Sequence, residues 1–105
     1  MERLVISDTL FADICANLDY TWSDDALDRK YKGYILSGMT FINDKLGEAA
    51  NYEVDGYPRT LLFEFVRYAR DGAMDIFENN YKSMILAMQN QKAVKAYAES
   101  TVSSE

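Results

Sequence analysis

Residues 58–80 read Pro58-Arg-Thr-Leu-Leu-Phe-Glu-Phe-Val-Arg-Tyr-Ala-Arg-Asp-Gly-Ala-Met-Asp-Ile-Phe-Glu-Asn-Asn80, and this stretch decides the fold class. It begins with the chain's only proline, a residue that is well tolerated in the first turn of a helix because the amide it lacks has no intrahelical partner there. Apolar side chains then recur at helical spacing, namely Leu62, Phe65, Val66, Ala69, Ala73, Ile76 and Phe77. The pattern predicts one helix over residues 58–79.

The charged side chains of this helix separate by sign around its axis. A basic sector contains Arg59, Arg67 and Arg70, with Phe63 and Met74 among them, and an acidic sector contains Glu64, Asp71, Asp75 and Glu78. One interpretation is pairing within the helix, such as Arg67 with Asp71, which is worth a few tenths of a kcal/mol. The other is a subunit that presents opposite charges to two neighbours, as head-to-tail contact in a closed ring requires. Both interpretations stay open at this point.

The remaining sequence predicts three further helices. Ser7 caps a helix over residues 7–18, and Ser23 caps a longer one over residues 23–46 that stops at Gly47. A last helix over residues 81–98 is expected to kink or break at residues 89–91, where Gln-Asn-Gln interrupts the apolar pattern. The fold class is therefore mainly α, with four helices around a single core and little or no β structure. Residues 1–105 form one domain, whose polar end at 100–105 is expected to fray.

Two glycines lie inside the second predicted helix, Gly33 and Gly38. Each should weaken that helix by roughly 1 kcal/mol relative to alanine. The exception would be a Gly38 that lets another helix approach closely, since it lies on the apolar face.

Composition and charge exclude several classes of function. Eleven basic and seventeen acidic residues give a net charge of −6 in 105 residues, which disfavours nonspecific nucleic-acid binding and contact with an anionic membrane. The apolar runs are far shorter than the roughly 20 residues of a membrane span. The chain has no histidine, the commonest general base and metal ligand at neutral pH. Its single cysteine, Cys15, cannot form an internal disulfide, which favours a reducing, cytosolic setting. We therefore expect no enzymatic activity, no catalytic residue, no cofactor and no metal.

Three partial motifs support that expectation. Residues 33–40 resemble a phosphate-binding loop, but Met39 replaces the required lysine. Residues 51–62 begin like a calcium loop, but its twelfth position is Leu62 instead of glutamate. The carboxylates of Asp24, Asp25 and Asp28 are explained by the preference of acids for the first turn of a helix.

Four aromatic residues lie in the connections between predicted helices: Tyr20, Trp22, Tyr52 and Tyr57. Aromatic side chains with polar tips are enriched at protein–protein contacts. They also serve as lids that fold back over a small core. The sequence leaves both roles open.

The order of these pieces resembles the small helical head–tail connector proteins, also called adaptor or head-completion proteins, of long-tailed bacteriophages. The resemblance covers residues 4–98: a short capped helix, an Asp-containing connection at Tyr20-Thr-Trp-Ser-Asp-Asp25, a long helix from Leu27, the proline-started helix at Pro58, and Phe77-Glu-Asn-Asn80 near its end. It is a pattern of helix lengths, loop positions and apolar register.

The resemblance implies a structural subunit of a ring, typically of twelve copies, below the phage portal at the head–tail junction of the virion. Such a ring extends the DNA channel and docks head-closure or tail proteins, after assembly in the host cytoplasm. The implied partners are other copies of the chain, the portal protein and the head-closure or tail proteins, with no membrane. DNA would pass through the ring without specific binding, which an acidic subunit suits. The alternative is a small helical protein-binding or regulatory protein of bacterial or prophage origin that acts through its loop aromatics.

Overall fold

The computed structural model describes residues 4–20 and 24–103, the last four of them by their backbone alone. The chain forms five helices, α1 (Asp8–Asn17), α2 (Asp25–Leu46), α3 (Tyr57–Arg70), α4 (Met74–Asn80) and α5 (Lys82–Ser103). No strand occurs within these ranges. The mainly α fold predicted from the sequence is confirmed.

The ends of the first two helices follow local rules. The Ser7 hydroxyl accepts the Leu10 amide at 3.0 Å and caps α1, as predicted. The predicted cap of α2, Ser23, lies outside the described residues. Asp24 caps α2 instead, since its carboxylate accepts two amides of the first turn at 2.9 and 3.1 Å. Gly47 ends α2 with φ of +83°, as the sequence predicts.

The single helix predicted over residues 58–79 is wrong, because the chain breaks between α3 and α4. Gly72 takes a left-handed conformation with φ of +69°. Its amide donates to the Ala69 carbonyl at 3.2 Å, and the Ala73 amide donates to the Tyr68 carbonyl at 2.9 Å. These two bonds make a Schellman motif, which closes a helix by satisfying its last carbonyls. The acidic and apolar residues after the break therefore take a new direction.

The break that the sequence allows at residues 89–91 does not occur, because α5 is one continuous helix through them. Gln89, the first of the polar residues that interrupt the apolar pattern, and Lys92, one turn further on, face the end of α2. Gln89 donates to the Lys45 carbonyl at 2.9 Å, and Lys92 donates to the Leu46 carbonyl at 2.8 Å. The last carbonyls of a helix lack intrahelical partners, so these contacts cap α2 from the side of α5.

The far end of α5 extends beyond the core. Every side chain from residue 93 to residue 99 is exposed, with Val94 at 69% and Tyr97 at 76%. The backbone stays helical to Ser103, and residues 104–105 of the polar end lie outside the described ranges. The chain measures 55 × 28 × 25 Å along its principal axes.

The core is formed mainly by α2 packed on α3, with α1, α4 and α5 around them. Ile76, which the apolar spacing places in the core, is 47% exposed because the break after α3 turns it outward. All helices and the connection after α2 contribute buried side chains: Leu10, Ile14, Leu18, Ile35, Met39, Ile42, Tyr52, Leu61, Leu62, Phe65, Val66, Phe77, Ile85 and Met88.

Gly38 lies where α3 packs closely on α2. A Cβ atom there would lie 2.7 Å from Leu62 Cδ1 and 2.9 Å from Phe65 Cδ1. The Phe65 ring has little room to move away, because its centre lies 5.8 Å from the centre of the Phe41 ring and 5.3 Å from that of the Phe77 ring. Gly38 is therefore the exception that the sequence allowed, a helical glycine that lets another helix approach closely.

The two glycines of α2 should therefore respond to alanine with opposite signs. Gly33→Ala meets no atom within 4 Å and should raise the free energy of unfolding by about 0.5–1 kcal/mol. Gly38→Ala gains the same propensity but overpacks the interface, which costs about 1–3 kcal/mol, so a net loss is expected. Urea unfolding of both variants measures the difference. Equal stabilisation by the two substitutions would contradict the packing described for Gly38.

Candidate interaction surface

The basic sector predicted on the third helix faces α1. Arg59 donates to the Asp13 carboxylate at 2.8 Å and to the Tyr52 carbonyl at 2.9 Å. Its guanidinium carbon lies 4.8 Å from the centre of the Phe63 ring, which is half-buried. Arg59 therefore ties α1, the connection after α2 and α3 together.

Arg67 and Arg70 contact the carboxyl end of α1. Arg67 lies 2.6 Å from Asn17 Oδ1 and 3.4 Å from the Asn17 carbonyl, and Arg70 donates to the Leu18 carbonyl at 3.1 Å. Cations are favourable at this end because the helix dipole makes it negative. The segregation of the three arginines thus has a cause within the fold, which neither interpretation from the sequence included.

The acidic sector is divided by the break at Gly72. On the α3 side, Glu64 accepts the Tyr81 hydroxyl at 3.0 Å and lies 3.7 Å from Arg67. Asp71 pairs with Arg70 at 2.9 Å, so the Arg67–Asp71 pair suggested by the sequence is replaced by two others. Burial and, after it, the hydrogen bond to Glu64 raise the pKa of the Tyr81 phenol, so the hydroxyl remains a donor.

On the other side of the break, α4 presents an exposed surface that we call the α4 knob: Met74, Asp75, Ile76 and Glu78. Met74 and Ile76 are 37% and 47% exposed. Glu78 pairs with Lys45 at 3.3 Å. Asp75 is exposed and has no ion-pair partner in the described part of the chain.

Two of the four loop aromatics pack into the fold. Tyr52 is 5% exposed, and its hydroxyl lies 2.7 Å from Asn43 Oδ1, so it covers the core as a lid would and offers little surface to a partner. Burial raises the pKa of the Tyr52 phenol. Tyr20 is half-buried, packs edge-on against Tyr31 and donates to Asp28 at 2.7 Å. Desolvation and that hydrogen bond raise the pKa of Tyr20 to about 12.

The other two loop aromatics are Trp22 and Tyr57. Trp22 lies outside the described residues. Tyr57 is the first residue of α3, is half-buried and lines an open hollow. Of the four, Tyr57 is therefore the described aromatic best placed to meet a partner.

Two neighbouring hollows that share Gln91 form an open groove between the start of α3 and α5. Their volumes are about 350 and 410 Å³. We call this surface the α3–α5 groove and define it by Tyr57, Pro58, Met84, Gln91, Lys92 and Lys95. The groove was not predicted from the sequence, although residues 82–103 carry three lysines against one glutamate in an acidic chain.

The lysines of the groove differ in their partners. Lys92 lies 3.4 Å from the Glu48 carboxylate and donates to the Leu46 carbonyl. Lys95 is exposed and has no ion-pair partner among residues 4–20 and 24–103. The groove thus combines apolar side chains with one lysine, Lys95, that pairs with no carboxylate among the described side chains.

Within the described residues, no group of three or more His, Cys, Asp or Glu side chains is placed to hold a metal ion. Burial and the nearby Asp28 carboxylate raise the pKa of the Cys15 thiol, so it is a weak nucleophile at neutral pH. None of the described helices combines the length and the apolar character that a membrane crossing needs.

Comparison with known proteins adds no relative. No protein-family model, no curated protein and no solved structure matches the chain. The features that bear on function are therefore the α4 knob, the α3–α5 groove and the sequence pattern.

Proposed function

We propose that the chain is a structural, non-catalytic subunit of a phage head–tail connector, which assembles into a ring below the portal. One observation carries the proposal: two exposed surfaces of unlike charge, the α4 knob and the α3–α5 groove, lie on different parts of one small helical domain. A subunit that binds two neighbours through different surfaces assembles head to tail, and such assembly closes into a ring when the rotation between subunits permits.

The position of the ring in a virion comes from the resemblance of residues 4–98 to connector proteins. In that setting the ring would sit at the head–tail junction, extend the DNA channel and dock the head-closure or tail proteins. The net charge of −6 supports passage of DNA through the channel, because an acidic surface attracts few phosphates.

Electron microscopy and sedimentation velocity of the full chain test the proposal. The protein is titrated alone and against purified portal rings encoded in the same genome. We expect closed rings of uniform diameter at high protein concentration, or seeded on the portal at lower concentration. A chain that stays monomeric at millimolar concentration and does not co-sediment with the portal would overturn the proposal. A one-to-one complex with a bacterial protein, without self-association, would favour the regulatory alternative.

A further inference from the structure

We propose that the α4 knob of one copy seats in the α3–α5 groove of the next copy, an inference that rests on the ring-forming function proposed above. The occupant of the groove is therefore a second copy of this chain. The contact pairs Ile76 and Met74 with Leu46 and Pro58, which are half-buried and line the same hollow as Lys95, and it brings Asp75 to Lys95.

Charge complementarity supports this pairing. Lys95 lines the groove and Asp75 lies on the knob, and each lacks an ion-pair partner within the described part of its own chain. Opposite charges across an interface fix its register and disfavour wrong partners. In both the α4 knob and the α3–α5 groove, the charged side chain lies near exposed or half-buried apolar side chains. The contact between two copies would therefore pair charge with opposite charge and apolar surface with apolar surface.

The geometry of α5 requires that the Asp75–Lys95 contact be made between copies. The helix starts directly after α4 and reaches Lys95 thirteen residues beyond Lys82. At 1.5 Å per residue, this places Lys95 about 20 Å along the helix axis from the end of α4. Asp75, held in α4 before the start of this continuous helix, therefore cannot reach the Lys95 side chain of its own chain.

The size of the two surfaces implies a weak individual contact. A stable protein–protein interface buries about 1,200–2,000 Å² in total, and a knob of four exposed side chains on a seven-residue helix presents less. Each subunit of a closed ring makes two such contacts, so closure strengthens the assembly through effective concentration. The free chain should therefore be monomeric when dilute and assemble steeply as its concentration rises.

Charge reversal tests the pairing. Lys95→Glu alone and Asp75→Lys alone place like charges at every contact, so each should raise the concentration needed for half-assembly at least tenfold. The double variant Lys95→Glu/Asp75→Lys restores opposite charges and should assemble within about threefold of wild type. An equimolar mixture of the two single variants should also assemble, because every knob–groove contact between alternating variants joins opposite charges.

Matched controls and outcomes separate this inference from the function it rests on. Lys30→Glu and Asp44→Lys make the same charge changes at exposed positions of α2 and should leave assembly unchanged. Circular dichroism checks that every variant stays helical. Rings that form normally from both single variants would overturn the pairing and leave the connector proposal standing. A wild-type chain that never forms rings would overturn both.

Discussion

Replacing Phe77 by alanine is expected to lower the free energy of unfolding by about 4 kcal/mol, a larger loss than any other single substitution proposed for this chain. Phe77 is 1% exposed and is the buried residue of α4. Its ring centre lies 5.4 Å from that of Tyr68, 5.3 Å from that of Phe65 and 5.0 Å from that of Tyr81. Truncation removes these contacts and leaves a cavity that surrounding aromatic rings cannot easily fill.

Ile76→Ala is the matched control, because it shortens the neighbouring side chain on the same helix. Ile76 is 47% exposed, so its truncation should change stability by no more than about 0.5 kcal/mol. Urea unfolding followed by circular dichroism measures both variants. Since folded domains of this size are stable by roughly 5–15 kcal/mol, Phe77→Ala should shift the midpoint visibly. A loss below about 1 kcal/mol, well under the usual range for a buried phenylalanine, would show that Phe77 is not the anchor of α4.

The second large effect is expected at Arg59, whose replacement by methionine should cost about 2 kcal/mol, since hydrogen bonds to charged groups are worth about 1.5–3 kcal/mol. The substitution keeps most of the aliphatic length but removes the hydrogen bonds to the Asp13 carboxylate and the Tyr52 carbonyl. The Arg59 side chain is 20% exposed, so solvent screens these contacts only in part. Arg59→Lys should recover part of the loss, because an ammonium group keeps the charge but lacks the planar fork.

A double-mutant cycle isolates the pair. Arg59→Met, Asp13→Asn and the double variant should show a coupling of about 1 kcal/mol, since the Asp13 side chain is 46% exposed. Arg29→Met, at an exposed position of α2, controls for the loss of a positive charge. Thermal or urea unfolding is the readout. Equal stability of Arg59→Met and Arg29→Met would mean that Arg59 does not hold α1 in place.

Helix ends that depend on a single residue were predicted correctly from the sequence. The cap at Ser7, the stop at Gly47 and the proline in the first turn of α3 can be read from single residues and are present in the structure. The break after α3 also has a local signal, Asp71-Gly72. This signal received too little weight in the prediction, because the helical spacing of apolar residues continues across the turn to Phe77 and favours a single helix.

Contacts between distant residues could not be read from spacing along the chain. Arg67 and Arg70 lie about fifty residues from Asn17 and Leu18, so nothing on their own helix shows that they face the end of α1. The same holds for Gln89 and Lys45, whose contact turns an apparent interruption of α5 into a cap on α2. Of the candidate surface, Tyr57 and the acidic residues of α4 were found from sequence, whereas Lys95 and the groove required the packing of α3 against α5.

The exposed end of α5 divides the chain into two thermodynamic units. Beyond Lys92 the helix has no buried side chain among those described, so core packing contributes little to the stability of its last turns. A short helix of this kind is marginal in water because nucleation is costly and each further residue gains little. Its backbone amides should open and close independently of the core, with hydrogen exchange far faster than in α2 or α3. Denaturant would then report the unfolding of residues up to about 92 as one cooperative transition, while the remaining turns melt gradually and contribute little to its slope.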